Sequence, residues 1–203
     1  MQKKNYTYLA LGDSYTVGES LPLHYNFPNQ LIRLLKEKDL LFEQPTIIAK
    51  TGWTTDELAV GIKNAVTQTA YDIVSLLIGV NNQYRGEKPG EYAWQFEELL
   101  QQAIRFAGWH PSHVFVLSIP DWGATPFAEG RDRAIIAREI DFFNRINREI
   151  SEKHRVNYLD ITEGTREVAK YPVLVASDGL HPSAKEYKRW AEKLAAVIQQ
   201  ELK

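Results

Sequence analysis

The chain has 203 residues, of which 44% are hydrophobic, and its formal net charge is −2. The hydrophobic fraction excludes an intrinsically disordered chain, and the absence of excess positive charge excludes a protein that neutralises nucleic-acid phosphates. Because the sequence contains no cysteine, disulfides, a thiolate nucleophile and cysteine-ligated zinc are excluded as well. The length predicts one domain that comprises residues 1–203.

The N-terminal residues 1–5 are basic, but no apolar run typical of a signal peptide follows them. No apolar run in the sequence reaches the length that a membrane-spanning helix needs. We therefore expect a cytoplasmic protein without a membrane span, or a secreted or periplasmic one if a signal peptide has been removed. The sequence makes no prediction about the oligomeric state.

The first predicted strand runs from Tyr6 to Gly12, where Tyr, Thr, Leu and Ala alternate. Asp13 and Ser14 follow this strand directly. Open α/β folds place their reactive side chains at the C-terminal ends of strands. Ser14 is therefore either a nucleophile or an ordinary turn residue.

Strands and helices alternate along the rest of the sequence. Apolar segments predict four more strands, at residues 44–50, 71–78, 113–119 and 156–161. Apolar residues at helical spacing predict helices from about Asn29, after Thr54 or Thr55, over about Glu91–Ala107, over about Arg133–Lys153, and from Ser183 to the end. Residues 17–27 and 120–127 are predicted to be irregular. This alternation predicts an α/β fold in which helices cover both faces of a parallel sheet.

Two of these helices carry specific expectations about their apolar faces. The helix after Thr54 or Thr55 is expected to carry Leu58, Ile62, Ala65 and Val66. The helix from Arg133 is expected to bury Ile135, Ile136, Ile140, Phe143 and either Ile146 or Ile150.

Four glycine-containing polar segments interrupt the apolar pattern. They are Gly12-Asp13-Ser14, Thr51-Gly52-Trp53, Gly79-Val80-Asn81-Asn82 and Ser177-Asp178-Gly179-Leu180-His181-Pro182. The first three follow predicted strands, so a parallel sheet gathers them at one edge. Together they supply a hydroxyl, a backbone N–H, a side-chain amide and an acid–imidazole pair.

Acyl transfer requires this combination of groups. A serine hydroxyl becomes a good nucleophile when a base takes its proton, and imidazole is the suitable base near neutral pH. A carboxylate must orient the imidazole, and hydrogen-bond donors must stabilise the oxyanion. Asp178 and His181 lie three residues apart around a glycine, a spacing that lets the carboxylate reach one ring nitrogen while the other points outward.

The four segments resemble sequence blocks of the GDSL, or SGNH, family of esterases and acylhydrolases. Gly12-Asp13-Ser14-Tyr15 resembles the first block, with Tyr15 in place of the usual Leu, and Gly52 resembles the glycine of the second block. Gly79-Val80-Asn81-Asn82 is similar to the Gly-x-Asn-Asp block, with Asn82 in place of Asp, and residues 178–182 are similar to the Asp-x-x-His-Pro block. The blocks occur in the family's order across nearly the whole chain.

This resemblance implies a role for each matched residue. Ser14 attacks the acyl carbonyl, His181 acts as general base and then general acid, and Asp178 orients His181. The backbone N–H groups of Ser14 and Gly52 and the side chain of Asn81 form the oxyanion hole. The resemblance also implies a three-layer α/β/α sandwich with a five-stranded parallel sheet (SGNH-hydrolase, flavodoxin-like), and ester cleavage through an acyl-enzyme without cofactor or metal.

The expected substrate is a small-molecule ester. Two substrate classes remain open, namely O-acetyl carbohydrates and the longer acyl chains of lipase-, lysophospholipase- or thioesterase-type substrates. A noncatalytic binding module on the same fold is the alternative outside enzymes. Aromatic residues beside the expected site either line an acyl or sugar pocket or belong to the core. These residues are Trp53, Trp122 and Phe127, with Tyr84, Arg85 and Glu19 as further candidates for substrate contact.

Overall fold

A computed structural model describes residues 4–65 and 70–202. In these residues the strands are β1 (Asn5–Tyr6), β2 (Tyr8–Gly12), β3 (Leu41–Phe42), β4 (Thr46–Ala49), β5 (Ile73–Leu77), β6 (Val114–Leu117) and β7 (Asn157–Leu159). The α-helices are α1 (Ser14–Val17), α2 (Phe27–Lys36), α3 (Thr55–Asn64), α4 (Val80–Tyr84), α5 (Pro89–Phe106), α6 (Arg133–Lys153), α7 (Thr162–Arg166) and α8 (Ala184–Glu201).

The main sheet has five parallel strands in the order β4-β2-β5-β6-β7, which confirms the predicted sheet. Every residue of β2 and β5 is buried, as expected for parallel strands covered on both faces. From β2 the chain first adds β4 on one side and then β5 on the other. The C-terminal end of β2 therefore lies at a topological switch point, where α/β sheets open a crevice. The short strands β1 and β3 pair separately.

Helices cover both faces of the sheet. On one face α2 packs against α8, and Phe27 of α2 contacts the rings of Tyr187 and Trp190. On the other face α5 packs against both α3 and α6. These two helical layers confirm the three-layer α/β/α sandwich. Across residues 4–65 and 70–202, no helix combines the length and the apolar character needed to cross a bilayer.

Some predicted details differ from the structure. Helix α2 begins at Phe27, two residues before Asn29, because the Asn26 side chain caps it by accepting a hydrogen bond from the N–H of Asn29. The expectation that Ile135 is buried was wrong, since it lies in the first turn of α6 and is 43% exposed. Ile136, Ile140 and Phe143 are buried as expected. Val66 lies outside the described residues.

Candidate active site

Ser14 is the first residue of α1, and that helix starts directly at the end of β2. Asp13 caps the helix, because its carboxylate accepts a hydrogen bond from the N–H of Tyr15 at 3.0 Å. Gly12 leaves no room for a side chain, since a Cβ there would overlap the carbonyl oxygen of Leu77 on β5. This tight strand-to-helix turn fixes Ser14 at the C-terminal edge of the sheet.

His181 connects Ser14 to Asp178. Its Nε2 lies 2.9 Å from the Ser14 Oγ, and its Nδ1 lies 2.6 Å from Oδ2 of Asp178. With the proton on Nδ1 donated to the carboxylate, Nε2 is free to accept the serine proton. The Tyr15 ring packs 5.1 Å from the imidazole, measured between ring centroids, and holds it from the side. The structure thus brings the three predicted catalytic residues into one hydrogen-bonded chain.

The Asp178 carboxylate is saturated with donors. Its Oδ1 accepts the N–H groups of Leu180 and His181 at 2.9 and 3.0 Å. Its Oδ2 accepts the Ser20 hydroxyl and the His181 Nδ1, both at 2.6 Å. Burial alone would raise the pKa of Asp178, but these hydrogen bonds outweigh burial and hold its pKa at about 2. The carboxylate is therefore ionised throughout the neutral and mildly acidic range.

Asn81 joins the segment of Gly52 to the segment of Ser14. Its Nδ2 donates to the Trp53 carbonyl at 2.9 Å and to Oδ2 of Asp13 at 3.3 Å. Among the described residues, the backbone N–H groups of Ser14 and Gly52 have no acceptor. Gly52 has a φ of +85°, a conformation that favours glycine. The three predicted oxyanion-hole donors therefore belong to segments that Asn81 joins, and the two backbone N–H groups are free to donate to a new partner.

Asn82 has a role that explains its departure from the family's usual aspartate. It is fully buried, and its Nδ2 donates to Oε2 of Glu87 and to the Thr55 hydroxyl, each at 2.7 Å. Its Oδ1 accepts the N–H of Thr55, the first residue of α3. The amide thus links α4, which carries Asn81, to the start of α3. Its contact with Glu87 requires a donor, which an ionised aspartate lacks.

The three aromatic candidates occupy different environments. Phe127 is 47% exposed and belongs to an aromatic cluster with Trp122 and Tyr84, in which the ring centroids are 5.2 to 6.3 Å apart. Trp122 is the buried member of this cluster, and its indole N–H donates to the Gln83 side chain at 2.7 Å. The N–H of Phe127 donates to the carbonyl of Gly179, which places the cluster beside the Asp178–His181 segment.

Trp53 is half-buried, and its ring packs against Gly61 of α3, where a Cβ would overlap it. The backbone carbonyl of Trp53, rather than its ring, therefore faces Asn81. Of the further candidates, Arg85 donates to the Gly52 carbonyl at 2.7 Å, and Glu19 accepts a hydrogen bond from the Thr51 hydroxyl. Both residues stabilise the Gly52 segment from its two sides.

Ser20 and Glu87 touch the site residues, and the sequence alone does not identify them. Ser20 lies in the irregular segment before α2, 158 positions from the carboxylate it contacts. Glu87 lies in a polar loop without a motif. The sequence points to Glu87 only indirectly. An uncharged amide at position 82, unlike an aspartate, does not repel a nearby carboxylate.

Comparison with known proteins agrees with this geometry. The sequence profile of the GDSL-like lipase/acylhydrolase family matches residues 10–189. The chain belongs to this family. A Ser-His-Asp triad and an oxyanion hole are typical of GDSL-like enzymes, which act on esters. No curated protein matches the chain significantly.

Several solved structures share the fold of this family member. TesA superposes with a TM-score of 0.75 at 19% sequence identity, over 96% of this chain and 99% of TesA. The acetylxylan esterase Axe2 from Geobacillus stearothermophilus has a TM-score of 0.71 at 20% identity, over 99% and 96% of the two chains. The psychrotrophic esterase EstA from Pseudoalteromonas sp. has a TM-score of 0.72 at 16% identity, over 98% and 99%.

Proposed function

We propose that this protein is a serine hydrolase that cleaves carboxylic esters by double displacement through an acyl-enzyme. The observation that carries the proposal is the hydrogen-bonded chain from the Ser14 hydroxyl through His181 to Asp178. This chain lies at the switch point of the sheet, next to two free backbone N–H groups. A turn serine without a function would not need a base and an orienting carboxylate.

In the first half-reaction, the Ser14 Oγ attacks the ester carbonyl and transfers its proton to Nε2 of His181. The carbonyl oxygen becomes an oxyanion, which accepts the N–H groups of Ser14 and Gly52 and the amide of Asn81. His181 then donates its proton to the leaving alcohol as the tetrahedral intermediate collapses. In the second half-reaction a water molecule, deprotonated by His181, attacks the acyl-enzyme and releases the carboxylic acid and free Ser14.

Asn81 must exchange one partner to serve in this step. Both of its amide protons have acceptors in the free enzyme, and the contact with Asp13 is the longer at 3.3 Å. The oxyanion would take this proton as its charge develops. Burial raises the pKa of Asp13 to about 7, so this carboxyl is partly protonated near neutral pH. A neutral Asp13 neither repels the oxyanion nor holds the Asn81 proton strongly.

The aromatic cluster lies beside the triad, because the N–H of Phe127 donates to the carbonyl of Gly179, next to Asp178. The exposed rings of Phe127 and Tyr84 offer a flat apolar surface to the alcohol part of the ester. Within the ester-hydrolase class, this surface supports the O-acetyl carbohydrate as the substrate over a long-chain acyl ester.

The test is a panel of esters with increasing acyl length, run beside acetylated sugars. We expect kcat/KM to be highest for acetylated sugars, and a steady rise with acyl-chain length would contradict the O-acetyl carbohydrate as the substrate. Ser14→Ala should lower kcat by about 10⁶, as in other serine hydrolases. Wild-type protein should also react with an organophosphonate at Ser14. Neither hydrolysis nor labelling would favour the noncatalytic binding module instead.

A further inference from the structure

In the loop between α1 and α2, the side chain of Ser20 contacts the carboxylate of Asp178. The Ser20 hydroxyl donates to Oδ2 of Asp178 at 2.6 Å, and this is the same oxygen that accepts the proton on Nδ1 of His181. The other oxygen of Asp178 is already held by two backbone N–H groups. Ser20 therefore supplies the fourth donor to a carboxylate that can accept about four hydrogen bonds.

The backbone of Ser20 is strained. Its φ is +66°, in the left-handed region that residues with a Cβ rarely occupy. Ser20 lies in a tight turn that the N–H of Leu21 closes by donating to the carbonyl of Gly18. Glycine is the residue that such a turn position favours, and it would relieve the strain. The presence of serine at this position, despite the backbone strain, indicates that its hydroxyl has a function.

We propose that Ser20 is a positioning residue for the catalytic dyad, fixing the rotation of the Asp178 carboxylate and sharing the charge of its Oδ2 with His181. This inference rests on the proposed function. Without the Ser20 hydroxyl, Oδ2 keeps His181 as its single partner and the carboxylate pivots more freely. The imidazole then spends less time aligned with the Ser14 hydroxyl.

Four variants separate the hydroxyl from the backbone strain. Ser20→Gly removes the hydroxyl and relieves the strain, while Ser20→Ala removes the hydroxyl and keeps the strain. Ser20→Thr keeps the hydroxyl and adds a branched Cβ that the left-handed region disfavours. The control is Arg155→Gly, at a φ of +58° two residues before β7, where the strands of the parallel sheet begin rather than where they end beside the triad.

We expect kcat/KM to depend on whether the hydroxyl is present, and the melting temperature to depend on the backbone strain at position 20. Ser20→Gly and Ser20→Ala should both lose about 3- to 10-fold in kcat/KM, since water replaces part of the lost hydrogen bond. Ser20→Thr should stay near wild type. Ser20→Gly should melt about 2–4 °C above Ser20→Ala.

Two results would overturn the role of Ser20. One is a Ser20→Gly variant whose kcat/KM matches wild type. The other is an activity that falls with melting temperature, so that Ser20→Thr loses as much as Ser20→Ala. Arg155→Gly should raise the melting temperature with kcat/KM unchanged. Failure of the proposed function looks different, because wild-type protein would then show neither hydrolysis nor organophosphonate labelling of Ser14.

Discussion

Replacing Asn82 by aspartate, the residue usual in the family, should destabilise this protein because it reverses one buried contact. The Asn82 amide donates to Oε2 of Glu87 at 2.7 Å, whereas an aspartate would set a second negative charge against that oxygen. The N–H of Thr55 still donates to position 82 after the change. The Thr55 hydroxyl accepts from Asn82 and donates to the Gln95 side chain, so it could donate to an aspartate only by giving up Gln95.

The structure gives the magnitude of this effect. Two unit charges about 3 Å apart repel by about 6 kcal/mol at an effective dielectric constant of 20. Glu87 is only partly buried, so it moves away and water screens the remaining repulsion. We therefore expect Asn82→Asp to lower the free energy of unfolding by about 2–3 kcal/mol near pH 8. Protonation of one carboxyl should recover part of this loss near pH 5.

A double-mutant cycle in urea unfolding measures the coupling between the two positions. Glu87→Gln alone should cost little, because the Gln oxygen still accepts the Asn82 proton. In the presence of Glu87→Gln, Asn82→Asp should cost about 2 kcal/mol less than in wild type. An Asn82→Asp variant as stable as wild type at pH 8, or a cycle without coupling, would refute this account of the Asn82–Glu87 pair.

Three further predictions concern residues next to Ser14. Asn81→Ala should lower kcat by about 10²–10³ while the protein stays folded, and a fully active variant would exclude Asn81 from the oxyanion hole. Wild-type protein should lose stability as pH rises from about 4 to 7, because in this range Asp13 is protonated when folded but ionised when unfolded. Asp13→Asn does not titrate, so it should gain up to about 4 kcal/mol relative to wild type over the same range, as measured by urea unfolding at several pH values. Gly12→Ala should lose about 3 kcal/mol, the upper end of the usual cost of overpacking, by thermal or urea unfolding, since its Cβ overlaps the Leu77 carbonyl.

The sequence predicted the sheet and the triad for physical reasons. β5 and β6 are short apolar runs between polar turns, a pattern that fits buried parallel strands. The candidate triad was recognisable because its residues stand beside glycines that the backbone requires, as at Gly12 and Gly179. A required glycine next to a reactive side chain leaves a short pattern in the sequence.

Other parts of the structure were not predictable in the same way. Helices α1 and α4 have four and five residues, too few for a helical apolar pattern to appear. The contacts of Ser20 with Asp178 and of Asn82 with Thr55 join segments far apart in the chain, and each involves small polar residues common in turns. Such contacts depend on tertiary packing, so they become visible only in three dimensions.

The same contacts explain how four separate segments act as one site. Asn81 ties the Ser14 turn to the Gly52 segment, Ser20 ties the Ser14 turn to Asp178, and the N–H of Phe127 ties the aromatic cluster to Gly179. Each link joins two segments that are far apart in the sequence. Since a serine–imidazole pair must stay within hydrogen-bond distance to transfer a proton, these links hold the geometry that the sheet alone only approximates. Loss of one link should therefore lower the rate of catalysis more than it lowers stability.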